Sequence, residues 1–118
     1  QVGCPTSTGT LAQACWRALG LGADPDGARL PHWSDAGVAS WYDFAVAIAE
    51  LSLELGLLET TVPVEPIATA DYPTPAQRPS YALLDCDESR RQLGIQPGHW
   101  RQHLRETLRS RAALERKR

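Results

Sequence analysis

The sequence predicts a mixed fold of about four helices and a few short strands, in the α/β class with the character of an α+β domain. Two observations favour it. Apolar residues recur at intervals of three to four positions in four stretches, as they do on one face of a helix. Three short apolar runs broken by turn residues and prolines are strand candidates. Because the chain has 118 residues, the length of one domain, we predict a single domain over residues 1–118.

The first helix is predicted to follow an opening loop, Gln1 to Ser7. Thr6 or Ser7 can accept hydrogen bonds from the free amides at the start of that helix. Its inner face is expected to carry Leu11, Ala14, Cys15, Ala18 and Leu19. The helix should end at Gly20 or Gly22, where a positive φ costs little.

A turn and a strand candidate come next. Residues 23–27 combine Asp, Pro and Gly, a composition typical of turns. Residues 30–33 then form a short apolar run that we interpret as a strand.

The second helix has the clearest pattern. Ser40 is expected to cap it, with Asp43 in the acidic position of a capping box and Gly56 after its end. Its apolar stripe consists of Trp41, Phe44, Ala45, Ile48, Leu51 and Leu55. Glu50 and Glu54 lie with Asp43 on another face, which we expect to be solvated.

Prolines dominate the middle of the chain. Residues 62–67 could form a second strand, but Pro63 and Pro66 each remove a donor, so the segment should be an edge strand or merely extended. Residues 71–79 contain three more prolines, which force extended or polyproline-like backbone. Helix is therefore excluded there.

A third strand and two helices complete the prediction. The strand is expected at residues 81–84. Asp85 and Glu88 then suggest a capping box for a brief helix that ends at Gly94. The last helix should follow Gly98. Its inner side is expected to carry Trp100, Leu104 and Leu108, and its outer side Arg101, Arg105 and Arg109.

The core prediction includes two of the four tryptophans. Trp41 and Trp100 stand on the apolar stripes of their helices and are expected in the core, whereas the sequence leaves Trp16 and Trp33 open. Three short strands cannot cover four amphipathic helices. We therefore expect the apolar faces to pack on another part of a longer chain or on a second copy in a homodimer.

The compartment predicted is the cytoplasm. The chain begins with Gln1 and has neither a secretory signal nor an apolar run of ~20 residues, so we expect a piece of a longer or processed protein without a membrane span. Cys4, Cys15 and Cys86 show no paired spacing, and we expect reduced, buried thiols.

Charge is distributed unevenly along the chain. Residues 1–89 carry 3 arginines and 12 acids, whereas residues 90–118 carry 9 basic residues and 2 acids. A basic tail can bind nucleic acid. This one lacks the interleaved aromatic residues typical of such binders, so we interpret it as a solvated helix face and keep a nucleic-acid module as the weaker alternative.

The sequence contains no catalytic constellation. Glycine-rich phosphate loops are absent, no tyrosine has a lysine four residues on, and the only lysine is Lys117. His99 and His103 are four residues apart but lack the carboxylate of a metal motif, so we expect no metal. The strongest chemical hint is Arg78, held by a proline-rich segment, because its planar fork suits a diphosphate. An ion pair with a nearby acid such as Asp71 or Asp85 is the alternative.

Several stretches together resemble the C-terminal half of the dTDP-4-dehydrorhamnose reductases. They are Ser-Trp-Tyr-Asp-Phe-Ala at residues 40–45, Tyr-Pro-Thr-Pro-Ala-x-Arg-Pro at residues 72–79, residues 80–84, Trp100 with its helix, and the opening residues 1–6. The similarity covers nearly the whole chain. The proline-rich string is far more specific than a single glycine motif.

The resemblance implies the substrate-binding subdomain of an extended short-chain dehydrogenase/reductase, without its Rossmann domain. In that family the Rossmann domain binds NADPH, and its Tyr-x-x-x-Lys pair lies upstream. Hydride transfer to C4 of dTDP-4-dehydro-L-rhamnose gives dTDP-L-rhamnose. By this resemblance the chain itself holds no catalytic residue and binds no NADPH. Its partners are the nucleotide-sugar and the missing Rossmann domain, with neither nucleic acid nor membrane.

The resemblance also suggests site residues. Those expected to line or shape the sugar-nucleotide side of the cleft are Pro5, Thr6, Tyr72, Pro73, Thr74 and Arg78. Some members carry an acid after the opening Pro-Thr that is linked to a metal-bridged dimer, but this chain has Gly9 and Thr10, so no metal is expected. A non-catalytic relative, such as the regulatory subunit of methionine adenosyltransferase, is the alternative function.

Overall fold

The computed structural model describes residues 1–22 and 31–116. Within these residues the helices are α1 (Thr8–Leu19), α2 (Trp41–Glu54), α3 (Asp87–Leu93) and α4 (Trp100–Glu115). Two short strands, β1 (Val2–Gly3) and β2 (Ala39–Ser40), and a 3₁₀ turn (Thr69–Asp71) complete the described elements. The mixed fold with four helices is confirmed. The predicted turn at residues 23–27 and the first residue of the strand candidate at 30–33 lie outside the described residues.

The sheet differs from the prediction. β1 and β2 pair antiparallel, with Val2 opposite Ser40 and Gly3 opposite Ala39. The predicted strands at residues 62–67 and 31–33 are not formed, and Tyr81 makes only an isolated bridge to Val2. Pro63 and Pro66 lack the amide donors that a ladder needs. The real strands are too short to show the alternation that identifies a strand from sequence.

Local hydrogen bonds explain most helix ends. The capping box of α2 is confirmed: Ser40 Oγ accepts from the Asp43 amide at 3.1 Å, and Asp43 Oδ2 accepts from the Ser40 amide at 2.8 Å. Ser7 caps α1 by accepting from the Gly9 amide at 3.1 Å, and Gly94 ends α3 with a φ of 61°.

The predicted capping box at Asp85 and Glu88 is wrong. The Asp85 carboxylate accepts from the amide of Asp87, the first residue of α3. Glu88 bonds instead along the helix to Arg91 and Gln92 at 2.6 and 2.7 Å. The helix begins one residue later than the box would require, so Glu88 is at its second position and not its third.

Two small clusters form the buried core. Ala14, Trp33, Leu93 and Ile95 join α1 to α3. Ala39, Ala47 and Trp100 join β2, α2 and α4, with Cys4, Phe44 and Leu104 packed against them. Trp100 is therefore buried as predicted. Trp33, which the sequence left open, is buried in the other cluster.

Several core predictions for α1 and α2 are wrong. Trp41 is 70% exposed. Trp41 is the first residue of α2, and side chains of a helix lean toward its N-terminus, so no preceding turn of the helix lies beneath its indole. Leu11, Cys15 and Leu19 on α1 are also exposed, because only Ala14 and Ala18 meet the α3 cluster. Ile48 on the predicted stripe of α2 is exposed as well. Burial is thus confirmed for Cys86 but not for Cys15.

The acidic face of α2 meets the basic face of α4. Arg101 donates to Glu50 at 2.6 Å, and Arg105 pairs with Glu54. The two glutamates on α2 and the two arginines on α4 are each four residues apart, so each glutamate meets one arginine when the helices face each other. The arginines expected on a free solvated face are thus partly paired, which weakens the case for a nucleic-acid surface. None of the described helices is long and apolar enough to cross a membrane.

Candidate functional site

A cleft of about 620 Å³ opens between the first residues of the chain and the α2–α4 pair. The opening loop and β1, residues 1–8, form one wall. The start of α2 and one side of α4 form a second. Arg78, Pro79 and Ala82 close a third side. Its volume lies in the range of ~300–1,000 Å³ that is usual for sites of small molecules.

The opening-loop wall contains two of the predicted site residues, Pro5 and Thr6. Thr6 Oγ1 donates to the Cys4 carbonyl at 3.1 Å. The Ser7 amide donates to Asp35 Oδ2 at 2.8 Å, although Asp35 lies 28 residues further along the chain. The shape of this wall thus depends on a contact that local sequence does not encode.

Cys4 adds a further bond to the same wall. Its thiol donates to the Asp35 carbonyl at 2.9 Å. Burial raises the pKa of the Cys4 thiol, and the charge of Asp35 raises it further. The thiol therefore stays protonated at neutral pH, as a donor requires.

The second wall is aromatic. Phe44 and Trp100 meet edge to face with ring centroids 6.0 Å apart and planes at 71°. Trp41 stands at the rim, with most of its indole exposed. Aromatic faces of this kind can pack on a nucleobase or a sugar ring.

Arg78 supplies the only arginine or lysine side chain among the lining residues. It makes no ion pair with Asp71 or Asp85, nor with any other acid in the described part of the chain. The structural ion pair, the alternative role for this arginine, therefore has no support from the geometry. An exposed guanidinium at a cleft can bind an anion in a bidentate manner.

The remaining predicted site residues lie apart from the cleft. Tyr72, Pro73 and Thr74 are exposed and do not line it. Thr74 Oγ1 donates to the Ala76 carbonyl at 2.9 Å, which closes a local turn. The structure therefore brings Pro5, Thr6 and Arg78 together, whereas the contribution of residues 72–74 stays a prediction.

Sequence reasoning missed Asp35, which no periodicity marks because it stands between short irregular stretches. It also missed the cleft positions of Ser40, His103 and Thr107. Because Trp41 was predicted to be a core residue, its position at the rim of the cleft was also missed. An aspartate before an Ala-Gly pair is a weak signal of a tight turn, and no stronger one was present.

The described residues do not fit an NADPH site. No glycine-rich turn between a strand and a helix is present in residues 1–22 or 31–116, and such a turn is what binds a dinucleotide pyrophosphate. At the start of α1 the amides of Ser7 and Gly9 are already bonded to side chains. The same residues contain no cluster of three or more His, Cys, Asp or Glu side chains suited to a metal ion.

A family model described as the RmlD substrate binding domain matches residues 1–112. The chain belongs to this family. The resemblance to dTDP-4-dehydrorhamnose reductases is thereby confirmed for nearly the whole chain.

Curated relatives agree with this family. The spore coat polysaccharide biosynthesis protein SpsK of Bacillus subtilis strain 168 is 39% identical over 114 residues, which cover 96% of this chain and 36% of SpsK. The dTDP-4-dehydrorhamnose reductase of Aggregatibacter actinomycetemcomitans is 34% identical over 107 residues, 89% of this chain and 36% of that enzyme. The Mycolicibacterium smegmatis reductase is 35% identical over 109 residues, 92% of this chain and 31% of the relative. The chain thus spans about a third of the length of these relatives.

Proposed function

We propose that this chain forms the nucleotide-sugar-binding part of an NADPH-dependent reductase that converts dTDP-4-dehydro-L-rhamnose to dTDP-L-rhamnose. The observation that carries the proposal is the cleft, which Arg78 lines together with the opening loop on a chain of the substrate-binding family. A Rossmann domain elsewhere in the longer protein would hold NADPH, which supplies the hydride when bound. The cytoplasm is the compartment that we expect for such an enzyme.

The chemistry of the walls fits the parts of this substrate. The planar fork of Arg78 can donate two parallel hydrogen bonds to the diphosphate. The aromatic side chains of Trp41 and Phe44 suit the flat thymine ring, with the buried Trp100 packed behind Phe44. Thr6 already donates to the Cys4 carbonyl and accepts from the Asp35 amide, so Pro5 and Thr6 would shape the sugar side of the cleft by contact.

Residues 72–74 have an indirect role in this proposal. Prolines 73, 75 and 79 limit the backbone of the segment that carries Arg78. Less conformational freedom is then lost when the arginine binds a ligand. Tyr72, Pro73 and Thr74 would therefore shape the approach to the cleft.

Arg78→Ala in the full-length reductase tests the proposal. We expect the KM for the nucleotide-sugar to rise roughly 10- to 150-fold, the equivalent of ~1.5–3 kcal/mol for one charge-assisted contact. The kcat and the KM for NADPH should hardly change, because the diphosphate is remote from C4 and binds equally in the ground and transition states. Arg78→Lys should recover only part of the loss.

Two controls complete this experiment. Arg91→Ala removes an exposed arginine of α3 that pairs with Glu88 and does not line the cleft, so it should leave the KM unchanged. An unchanged KM in Arg78→Ala together with a lower melting temperature would defeat the binding role. Binding of dTDP without any reduction by the full-length protein would favour the non-catalytic alternative.

The exposed apolar side of α1 supports a further part of the proposal. Trp16 and Leu19 are 77% and 76% exposed. We expect this surface to pack against the rest of the longer reductase. The alternative is that this surface forms a homodimer. In that case the sedimentation coefficient of the full-length protein should rise with concentration and fall in the Trp16→Glu variant.

A further inference from the structure

Asp35 is a buried acid that neither the family likeness nor the sequence pattern assigns to the cleft. Its side chain is 1% exposed, and burying a carboxylate is unfavourable unless hydrogen bonds compensate for the lost water. Oδ2 accepts from the Ser7 amide at 2.8 Å, and Oδ1 accepts from Thr10 Oγ1 at 2.6 Å. Both oxygens are thus used to hold the junction of the opening loop and α1.

This arrangement completes a capping box from a distant part of the chain. In an ordinary box the acid at the third helical position accepts from the amide of the capping residue. In α1 that position is Thr10, which has no carboxylate, and Asp35 accepts from the Ser7 amide in its place. The direction in which the opening loop leaves the helix is therefore set by Asp35.

The backbone of the same residue bonds to the loop as well. The Cys4 thiol donates to the Asp35 carbonyl at 2.9 Å, and the Asp35 amide donates to Thr6 Oγ1 at 3.4 Å. Cys4, Thr6 and Ser7 all line the cleft. Four contacts of one buried residue thus fix one wall.

The next residue fixes the opposite wall. The Ala36 amide donates to the Gly98 carbonyl at 2.9 Å, and the Trp100 amide donates to the Ala36 carbonyl at 2.9 Å. These bonds attach the start of α4, where Trp100 and His103 line the cleft. Residues 35 and 36 therefore connect the opening-loop wall to the α4 wall, and their bonds fix the distance between these two walls.

We propose that Asp35 is the positioning residue of the cleft, which holds the opening loop at the distance from α4 that the nucleotide-sugar requires. This inference rests on the proposed function. Asp35 does not line the cleft, so it acts through Cys4, Thr6 and Ser7. Its removal should weaken ligand binding beyond any loss of stability.

The test is calorimetric titration of dTDP into the full-length protein with Asp35→Asn. The variant keeps the size of the side chain but removes its charge, so the bond from the Ser7 amide is no longer charge-assisted and the Thr10 hydroxyl keeps only the Ser7 carbonyl, at 3.0 Å, as its acceptor. We expect the Kd for dTDP to rise roughly 10- to 100-fold, the effect of a displaced binding wall. The Kd for NADPH should not change.

Leu51→Ala is the matched control for a purely structural effect. Leu51 is buried in α2 and does not line the cleft, and ten residues of helix, ~15 Å, separate it from Trp41. It should lower the melting temperature at least as much as Asp35→Asn and leave the Kd for dTDP within about twofold. An equal rise in Kd for both variants, or an unchanged Kd in Asp35→Asn, would overturn the positioning role.

A second variant protects the test against a failure to fold. Thr10→Val removes one donor to Asp35 without introducing a new polar group, and we expect a rise in Kd of roughly two- to tenfold. An unchanged Kd in that variant would also overturn the inference. If the wild-type protein does not bind dTDP, the proposed function falls and the inference falls with it. If the wild type binds and both variants bind equally well, only the inference fails.

Discussion

The two segments that carry the predicted site residues are held in different ways. The opening loop is held by a buried carboxylate and several backbone bonds. The segment at residues 72–78 is exposed and relies on its prolines and two local hydrogen bonds, from the Tyr72 amide to the Thr69 carbonyl and from Thr74 Oγ1 to the Ala76 carbonyl. The contrast teaches that proline restricts the local backbone but does not place a segment relative to the rest of the fold. Placement requires long-range contacts.

One anchor explains why Arg78 reaches the cleft and residues 72–74 do not. The Val2 amide donates to the Ser80 carbonyl at 2.8 Å, and the Ala82 amide donates to the Val2 carbonyl at 2.9 Å. Arg78 is only two residues from this pairing with β1, whereas Tyr72 is eight residues away. Substitutions in the opening-loop and α4 walls should therefore affect stability, and substitutions near Arg78 should affect binding alone.

Trp100→Ala should give the largest effect on stability. Its side chain is 6% exposed and packs among Ala39, Ala47 and Phe44. Loss of a buried tryptophan costs ~3–5 kcal/mol of unfolding free energy, measurable by urea denaturation. Trp41→Ala, an exposed tryptophan of the same cleft, should stay within ~0.5 kcal/mol. Equal losses of unfolding free energy in the two variants would contradict the burial of Trp100 and the exposure of Trp41.

Gly37→Ala should give the next largest effect. Gly37 has a φ of +102°, and a Cβ there would stand 2.6 Å from His99 Nε2 and 2.8 Å from Trp100 Cδ1. Strain and overpacking together should cost ~1–3 kcal/mol. Gly56→Ala shares a positive φ but meets nothing within 4 Å, so its cost should be that of backbone strain alone, ~1 kcal/mol. If both variants lose the same free energy of unfolding in urea denaturation, that result contradicts the close contact of residue 37 with His99 and Trp100.

Asp43→Asn should give the smallest effect, visible only as a change in acid stability. Hydrogen bonds from the side chain and amide of Ser40 lower the pKa of the Asp43 carboxyl. Its contribution to stability is therefore present above its ordinary pKa of about 3.9 and is lost as the pH falls through the lower folded value. Melting curves from pH 6 to pH 2 should show a shallower acid loss in Asp43→Asn than in the wild type. Glu59→Gln, an exposed exchange outside any cap, should retain the wild-type profile.

The sequence was informative where structure is local. The capping box at Ser40 and Asp43, the glycine after α3 and the burial of Trp100 follow from spacing within a few residues. The helices are recognisable because their apolar period spans several turns. Two-residue strands have no period to detect, so β1 and β2 were missed.

Long-range contacts could not be predicted. The carboxylate of Asp35 and the amide of Ser7 are brought together by the fold. The ion pair between Glu50 and Arg101 joins residues 51 positions apart. The position of Trp41 at the rim required the direction of α2 relative to β2, which its apolar spacing did not reveal. The part of the site that depends on such contacts emerged only from the structure.

Hydrogen–deuterium exchange of the full-length protein, with and without dTDP, tests most directly whether the cleft holds the nucleotide-sugar. Bound dTDP should slow exchange in two separate stretches that line the cleft, residues 1–8 and residues 78–82. Exchange in α3, which does not line the cleft, should stay the same. Slowed exchange confined to α3 or to other regions away from both walls, at dTDP concentrations that saturate binding, would contradict the account.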